Sequence, residues 1–162
     1  NEKTVEKIDQ KSVRTEYGKF KLILYKDLIF DETHLVLQKG KISKNSPTLV
    51  RVQQSNFFHD LLNINEFGAR WSVSDSMKKI NEVGKGIILL IDGENKKQDE
   101  FNEINSSKKK RITAPNNDPR RIGIGSQILR DLGVQKIKLM GSEVRYPSLS
   151  GFDLEVTEYL KK

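Results

Sequence analysis

The sequence contains no cysteine and only two histidines, His34 and His59. Disulfides and thiolate metal sites are therefore excluded, and little imidazole is left for a transition metal to bind. Long apolar runs are missing as well. No stretch approaches the roughly 18 consecutive apolar residues of a membrane span, and the start lacks the apolar segment of a signal peptide. The expectation is a cytoplasmic protein without a membrane partner. The densest basic run, Lys108-Lys109-Lys110-Arg111, has no aromatic residue inside it on which a base could stack. Despite a net charge of +7, that run reads as a solvated loop rather than a nucleic-acid arm.

What is present is the composition of an ordinary domain with one core, 35% apolar and 31% charged over 162 residues. The opening segment is polar and reads as the remnant of an interdomain linker over residues 1–13, as in a piece of a longer protein. Residues 14–162 read as a single domain. From Val13 to Asp27 the pattern alternates around Gly18, giving strand, turn, strand. Further strands are expected over Thr33 to Ile42 and Thr48 to Val52, so the N-terminal third is β-rich. Val73, Met77 and Ile80 share a helical face that Ser72 or Ser74 can cap and Gly84 can end. Ile87 to Ile91 is an unbroken apolar run, the signature of a strand buried on both faces. Residues 95–117 have little apolar periodicity and read as a flexible insertion. Pro119 then suits the first turn of a helix ending at Gly133, with strands expected over Val134 to Met140 and Phe152 to Leu160. Helices alternating with buried strands predict a mixed α/β fold in layers.

Four local patterns have an order and spacing that point further: Thr48-Leu49-Val50-Arg51-Val52, Gly84-Lys85-Gly86-Ile87-Ile88-Leu89-Leu90, Asp131-Leu132-Gly133-Val134 followed by Lys136-Ile137-Lys138-Leu139, and Gly151-Phe152-Asp153-Leu154-Glu155-Val156. Together they resemble the GTP cyclohydrolase II family of riboflavin biosynthesis over Arg14 to Leu160. The resemblance implies that family's fold and a zinc hydrolase that opens the imidazole ring of GTP. It also implies zinc-binding cysteines at the positions held here by Asn56, Phe67 and Ala69. A zinc-bound water is needed because an imidazole ring carbon is a poor electrophile without Lewis-acid help.

Other family positions are kept or lost one by one. Of the family's base-recognition motif only Glu94 matches, within Asp92-Gly93-Glu94-Asn95-Lys96, and no tyrosine lies between Tyr25 and Tyr146 to serve as the catalytic one. Asp118 and Arg120 match an Asp-x-Arg pair that the family associates with the α-phosphate, so they are the candidate catalytic residues. Asp118 is equally suited to capping the helix that follows. Arg51, Glu94 and Arg145 are the candidate phosphate or nucleotide contacts by the same resemblance. Gly123-Ile124-Gly125 lacks the third glycine of a dinucleotide fingerprint, and Gly84-Lys85-Gly86 lacks the spacing of a P-loop.

The resulting expectation is a degenerate C-terminal GTP cyclohydrolase II-like domain of a fused dihydroxybutanone phosphate synthase/GTP cyclohydrolase II protein. It would hold no metal or other cofactor and would act as a scaffold, dimerisation or nucleotide-responsive regulatory domain rather than as an enzyme. Its partners would be GTP or another nucleotide, the N-terminally fused synthase domain and a second copy of itself. The alternatives are an active GTP cyclohydrolase II with an atypical metal site and a basic nucleic-acid-binding module.

Overall fold

A computed structural model of the chain describes residues 3–54, 56–92, 97–105, 119–141 and 149–162. Strands β1 (Val5–Thr15), β2 (Gly18–Asp27) and β3 (Glu32–Lys39) form an antiparallel meander, and β3 pairs antiparallel with β5 (Gly86–Leu90). From there the pairing is parallel: β5 with β4 (Thr48–Gln53), β4 with β6 (Lys136–Met140), and β6 with β7 (Glu155–Leu160). The result is one seven-stranded sheet of order β1-β2-β3-β5-β4-β6-β7. The mixed α/β class expected from the sequence is what the chain adopts.

Parallel strands cannot be joined by a hairpin, and helices lie on the connections from β4 to β5 and from β5 to β6. Helix α1 (Val73–Val83) links β4 to β5 and packs Met77 and Ile80 with Leu49 and Ile88. Helix α3 (Pro119–Asp131) packs Ile124, Ile128 and Leu129 with Val50, Ile87 and Leu89. Successive residues of β5 thus feed different clusters, which is why its sequence is apolar without alternation. Ile87, Ile88 and Leu89 are all completely buried. A short helix α2 (Lys97–Asn105) lies between β5 and α3. No helix among the described residues is long and apolar enough to cross a membrane.

The helix ends follow the expected chemistry. Ser72 caps α1, its hydroxyl accepting the Asp75 amide at 3.0 Å, and Gly84 closes the helix at φ 94 with its N–H on the Ile80 carbonyl. Gly86 is required for a different reason: a Cβ there would stand 2.7 Å from the Ile80 side chain and 2.9 Å from the Leu49 carbonyl oxygen. Only a bare α-carbon lets α1 settle this close to the sheet.

Three expectations of organisation differ from the structure. From Val5 onward the segment read as linker is β1, an edge strand whose side chains are nearly all exposed apart from Val5. With no apolar face its sequence has no strand period, and backbone pairing with β2 supplies the order instead. Within 95–117, Lys97–Asn105 is helical, held by Arg70 to Glu103 at 2.6 Å and by an edge-on contact of Phe58 with Phe101. Residues 95–96 and 106–117 lie outside the described part. The last strand begins at Glu155 rather than Phe152, because Leu149–Phe152 forms a 3-10 turn first.

Candidate functional site

In sheets with parallel strands, the crevice beyond the carboxyl ends of those strands is where ligands collect. Here β5 ends beside the start of β3, since Leu35 pairs with Leu90, and the amino end of α3 reaches the same edge. The register brings Asp27 of β2 opposite Glu32 of β3, with His34 two residues further along. Arg120, in the first turn of α3, projects onto these acids. Its Nη1 donates to Glu32 Oε1 at 3.1 Å and to Asp27 Oδ2 at 3.5 Å, while Nη2 donates to Glu32 Oε2 at 3.3 Å. The guanidinium also lies 4.1 Å above the Phe30 ring.

Each member of this cluster is held in place. Asp27 is 1% exposed, and its Oδ1 accepts the Ile29 and Phe30 amides of the β2–β3 turn. His34 is fully buried, and its Nδ1 accepts the Asp92 amide at 2.9 Å. A ring that accepts at Nδ1 carries its proton on Nε2. That Nε2–H has no hydrogen-bond partner among the described residues; Glu32 Oε1 stands 3.9 Å away. Burial lowers the pKa of His34 below the ordinary imidazole value, against the upward pull of Glu32, Asp27 and Asp92 and with the help of Arg120. Ligand atoms of Asp27, Glu32 and His34 all lie within 4.8 Å of one another, a spacing at which a divalent cation can be considered. The geometry spends them otherwise: one guanidinium bridges both carboxylates, and the imidazole nitrogen nearest Glu32 carries a proton.

The sequence-derived candidates land in different places. Arg120 joins the cluster just described. Arg51 does not; its Nε donates to Gln53 Oε1 at 2.7 Å, Nη1 to the Met140 carbonyl at 3.0 Å and Nη2 to the Trp71 carbonyl at 2.9 Å. It ties β4 to the end of β6 and to the segment entering α1. Asp118, Glu94 and Arg145 lie outside the described residues. Asp27, Glu32 and His34 were not among the candidates. One signal was available: an imidazole inside the strand pattern Thr33 to Val36, where burial would oblige it to find polar partners.

Zinc of the kind the resemblance implies does not fit the residues present. Phe67 and Ala69 have no donor atom in their side chains, and Asn56 uses its Oδ1 to accept the His59 amide. His59 packs against Phe67 at 5.3 Å and belongs to no convergent group of ligands among the described residues.

The family profile of GTP cyclohydrolase II matches residues 6–161, and the chain belongs to that family. It is 40% identical over 162 residues to a Pseudomonas aeruginosa protein named 3,4-dihydroxy-2-butanone 4-phosphate synthase, covering 99% of this chain and 44% of that protein. It is 32% identical over 155 residues to the riboflavin biosynthesis protein RibBA of Cytophaga hutchinsonii, covering 89% of this chain and 38% of the relative. Among solved structures it is similar to RibBX of A. baumannii, described as a two domain 3,4-dihydroxy-2-butanone 4-phosphate synthase. That likeness has a TM-score of 0.67 and 34% identity, over 99% of this chain and 41% of the other. The chain thus spans less than half the length of these relatives, and its kinship is with riboflavin biosynthesis.

These findings correct several expectations. The chain is not assigned as a degenerate cyclohydrolase domain of a synthase/cyclohydrolase fusion, because the similarity that carries a synthase name runs through 99% of it. Its departures from the cyclohydrolase pattern at Asn56, Phe67, Ala69 and around Glu94 fall inside a stretch that aligns with a synthase-named protein. They are therefore no sign of decay. The scaffold and regulatory role falls with that reading, as do the active cyclohydrolase with an atypical metal and the nucleic-acid module. The expected partners, a nucleotide, an N-terminally fused synthase domain and a second copy, are likewise unsupported by proteins named as synthases in their own right.

Proposed function

We propose that this chain serves riboflavin biosynthesis with the activity for which its relatives are named, formation of 3,4-dihydroxy-2-butanone 4-phosphate. The observation that carries the proposal is the 40% identity to a synthase-named protein over 99% of the chain. The product is a small phosphorylated ketone, and guanidinium groups are the side chains best matched to a phosphate fork. Within this reading Arg120 and Arg145 are assigned to phosphate, Asp118 and Glu94 keep the roles that the family resemblance suggests, and Arg51 holds β4 to the end of β6 and the segment entering α1. A cytoplasmic location belongs to the same proposal, since phosphorylated sugars do not cross membranes unaided and are made where they are used.

The test is complementation. A bacterium lacking its 3,4-dihydroxy-2-butanone 4-phosphate synthase is expected to grow without added riboflavin when it expresses this protein, with the product detectable by mass spectrometry in extracts. A well-folded, expressed protein that restores neither growth nor product would overturn the proposal. Arg120→Lys keeps the charge but loses the fork, and it is expected to reduce product formation more than protein level.

A further inference from the structure

The family places zinc in the stretch between β4 and α1, where a metal would cross-link a loop that has little regular structure. The structure shows what closes that loop here. Asp60, in the π-helical turn Phe57–Leu61, receives hydrogen bonds from three separate parts of the chain. Its Oδ2 accepts Gln53 Nε2 from the end of β4 at 3.0 Å and the Asn56 amide at 2.7 Å, and its Oδ1 accepts the Val73 amide from the start of α1 at 2.9 Å. The backbone closes the same ring, Asp60 N–H reaching the Asn56 carbonyl at 2.7 Å.

Two of the three positions that would carry cysteine, Asn56 and Phe67, take part in the closure. Asn56, 7% exposed, holds the His59 amide with its side chain. Phe67, 6% exposed, packs on the His59 ring at 5.3 Å and lies under Arg70, whose guanidinium carbon is 5.8 Å from the ring centroid. Arg70 in turn reaches Glu103 of α2. Gln53 connects this network to Arg51, and through it to the Met140 and Trp71 carbonyls. A carboxylate with its lone pairs distributed over three donors, plus the tilted contact of His59 on the buried Phe67 ring, does the joining that a tetrahedral ion would do.

The geometry points to Asp60 as a metal-independent clasp that fixes the β4–α1 loop in place of zinc. The clasp draws on neither the Asp27, Glu32, His34 and Arg120 cluster nor the proposed activity. It holds whether or not the chain forms the ketone phosphate.

Hydrogen exchange and metal content test it on the whole protein. Purified wild-type protein is expected to contain no stoichiometric zinc, and a strong chelator should leave both its melting temperature and the exchange of residues 53–73 unchanged. Asp60→Asn keeps the shape but removes the charge, and should speed amide exchange at Asn56 and Val73 by about 10-fold to 100-fold, the usual weight of hydrogen bonds to a charged acceptor. Added zinc should not reverse it. If Asp60→Asn does not fold, Phe67→Leu, which keeps bulk but removes the ring contact with His59, should speed exchange across residues 58–70 with the same indifference to zinc. Stoichiometric zinc whose removal loosens residues 53–73, or unchanged exchange at Asn56 and Val73 in folded Asp60→Asn, would overturn the inference.

Discussion

Tyr25→Phe is the sharpest perturbation of the packing between the meander and α3. Tyr25 is fully buried, and its phenol donates to Asp131 Oδ2 at 2.6 Å, joining β2 to the last residue of α3. An acid at a helix carboxyl end opposes the macrodipole, so Asp131 needs such partners; Lys3 Nζ supplies the other at 2.6 Å. Lys3 is 59% exposed, so solvent screens its share, and the phenol is the buried one of the two partners. Phenylalanine keeps the ring packing and leaves no cavity. The loss is therefore that of one hydrogen bond to a charged acceptor, about 2 kcal/mol, or about 4–8 °C in melting temperature for a chain of this size.

The pH dependence of that loss is a stricter check. Burial alone would raise Asp131, but the hydrogen bonds from Lys3 and Tyr25 and the charges of Lys3 and Lys7 outweigh it and hold its pKa below the ordinary carboxylate range. Burial, with the hydrogen bond and charge of Asp131, pushes the Tyr25 phenol up. The carboxylate's contribution is complete above an ordinary acid pKa of about 4 and is lost as pH falls through its lower folded value. The phenol's contribution is complete below about pH 10 and fades as pH rises beyond it. Urea titrations should therefore show a constant gap between wild type and Tyr25→Phe from about pH 4 to pH 10, narrowing on both sides. A gap below 1 °C in melting temperature, or one that persists unchanged at pH 3, would refute the reasoning.

Two further predictions concern the site and the sheet. Arg120→Met should raise the His34 pKa followed by NMR, and Glu32→Gln should lower it, because the two charges act on the imidazole with opposite sign. Since burial lowers the folded value, the unfolded chain binds more protons just below an ordinary imidazole pKa of about 6.5, and His34 should cost stability as pH falls through that window. A His34 signal that stays put in both variants would separate it from the cluster. Gly86→Ala should destabilise by about 1–3 kcal/mol in urea unfolding, because the new methyl meets Ile80 and the Leu49 carbonyl, neither of which yields without moving α1 or β4. Wild-type stability in that variant would mean that α1 sits less closely on the sheet.

Where burial imposes a period, the sequence could be read. Ile87 to Ile91 announced a strand covered on both faces, and Ser72 with Gly84 marked the ends of α1, because those residues act on their own neighbourhood. Most of β1 was illegible: only its end at Val13 to Thr15 showed in the alternation around Gly18, while the side chains before it face solvent and are ordered by pairing with β2, which local composition does not encode. The candidate site was legible only in part. Arg120 stood out by its motif, but its partners Asp27 and Glu32 lie 93 and 88 residues away in the chain. Nothing near Arg120 in sequence names them.

By itself the sequence determined the class of fold, the absence of thiolate chemistry and the kinship carried by its ordered motifs. These rest on composition and on periodicities that each segment holds locally. Only the tertiary structure decided which charges meet. Folding placed Arg120 on Asp27 and Glu32 beside the protonated face of His34, gave Arg51 carbonyl groups to bind, and gathered Gln53, Asn56 and Val73 around Asp60. Hydrogen bonds and ion pairs act over a few ångströms whatever the separation along the chain, so strand register and helix placement had to exist before those pairs did.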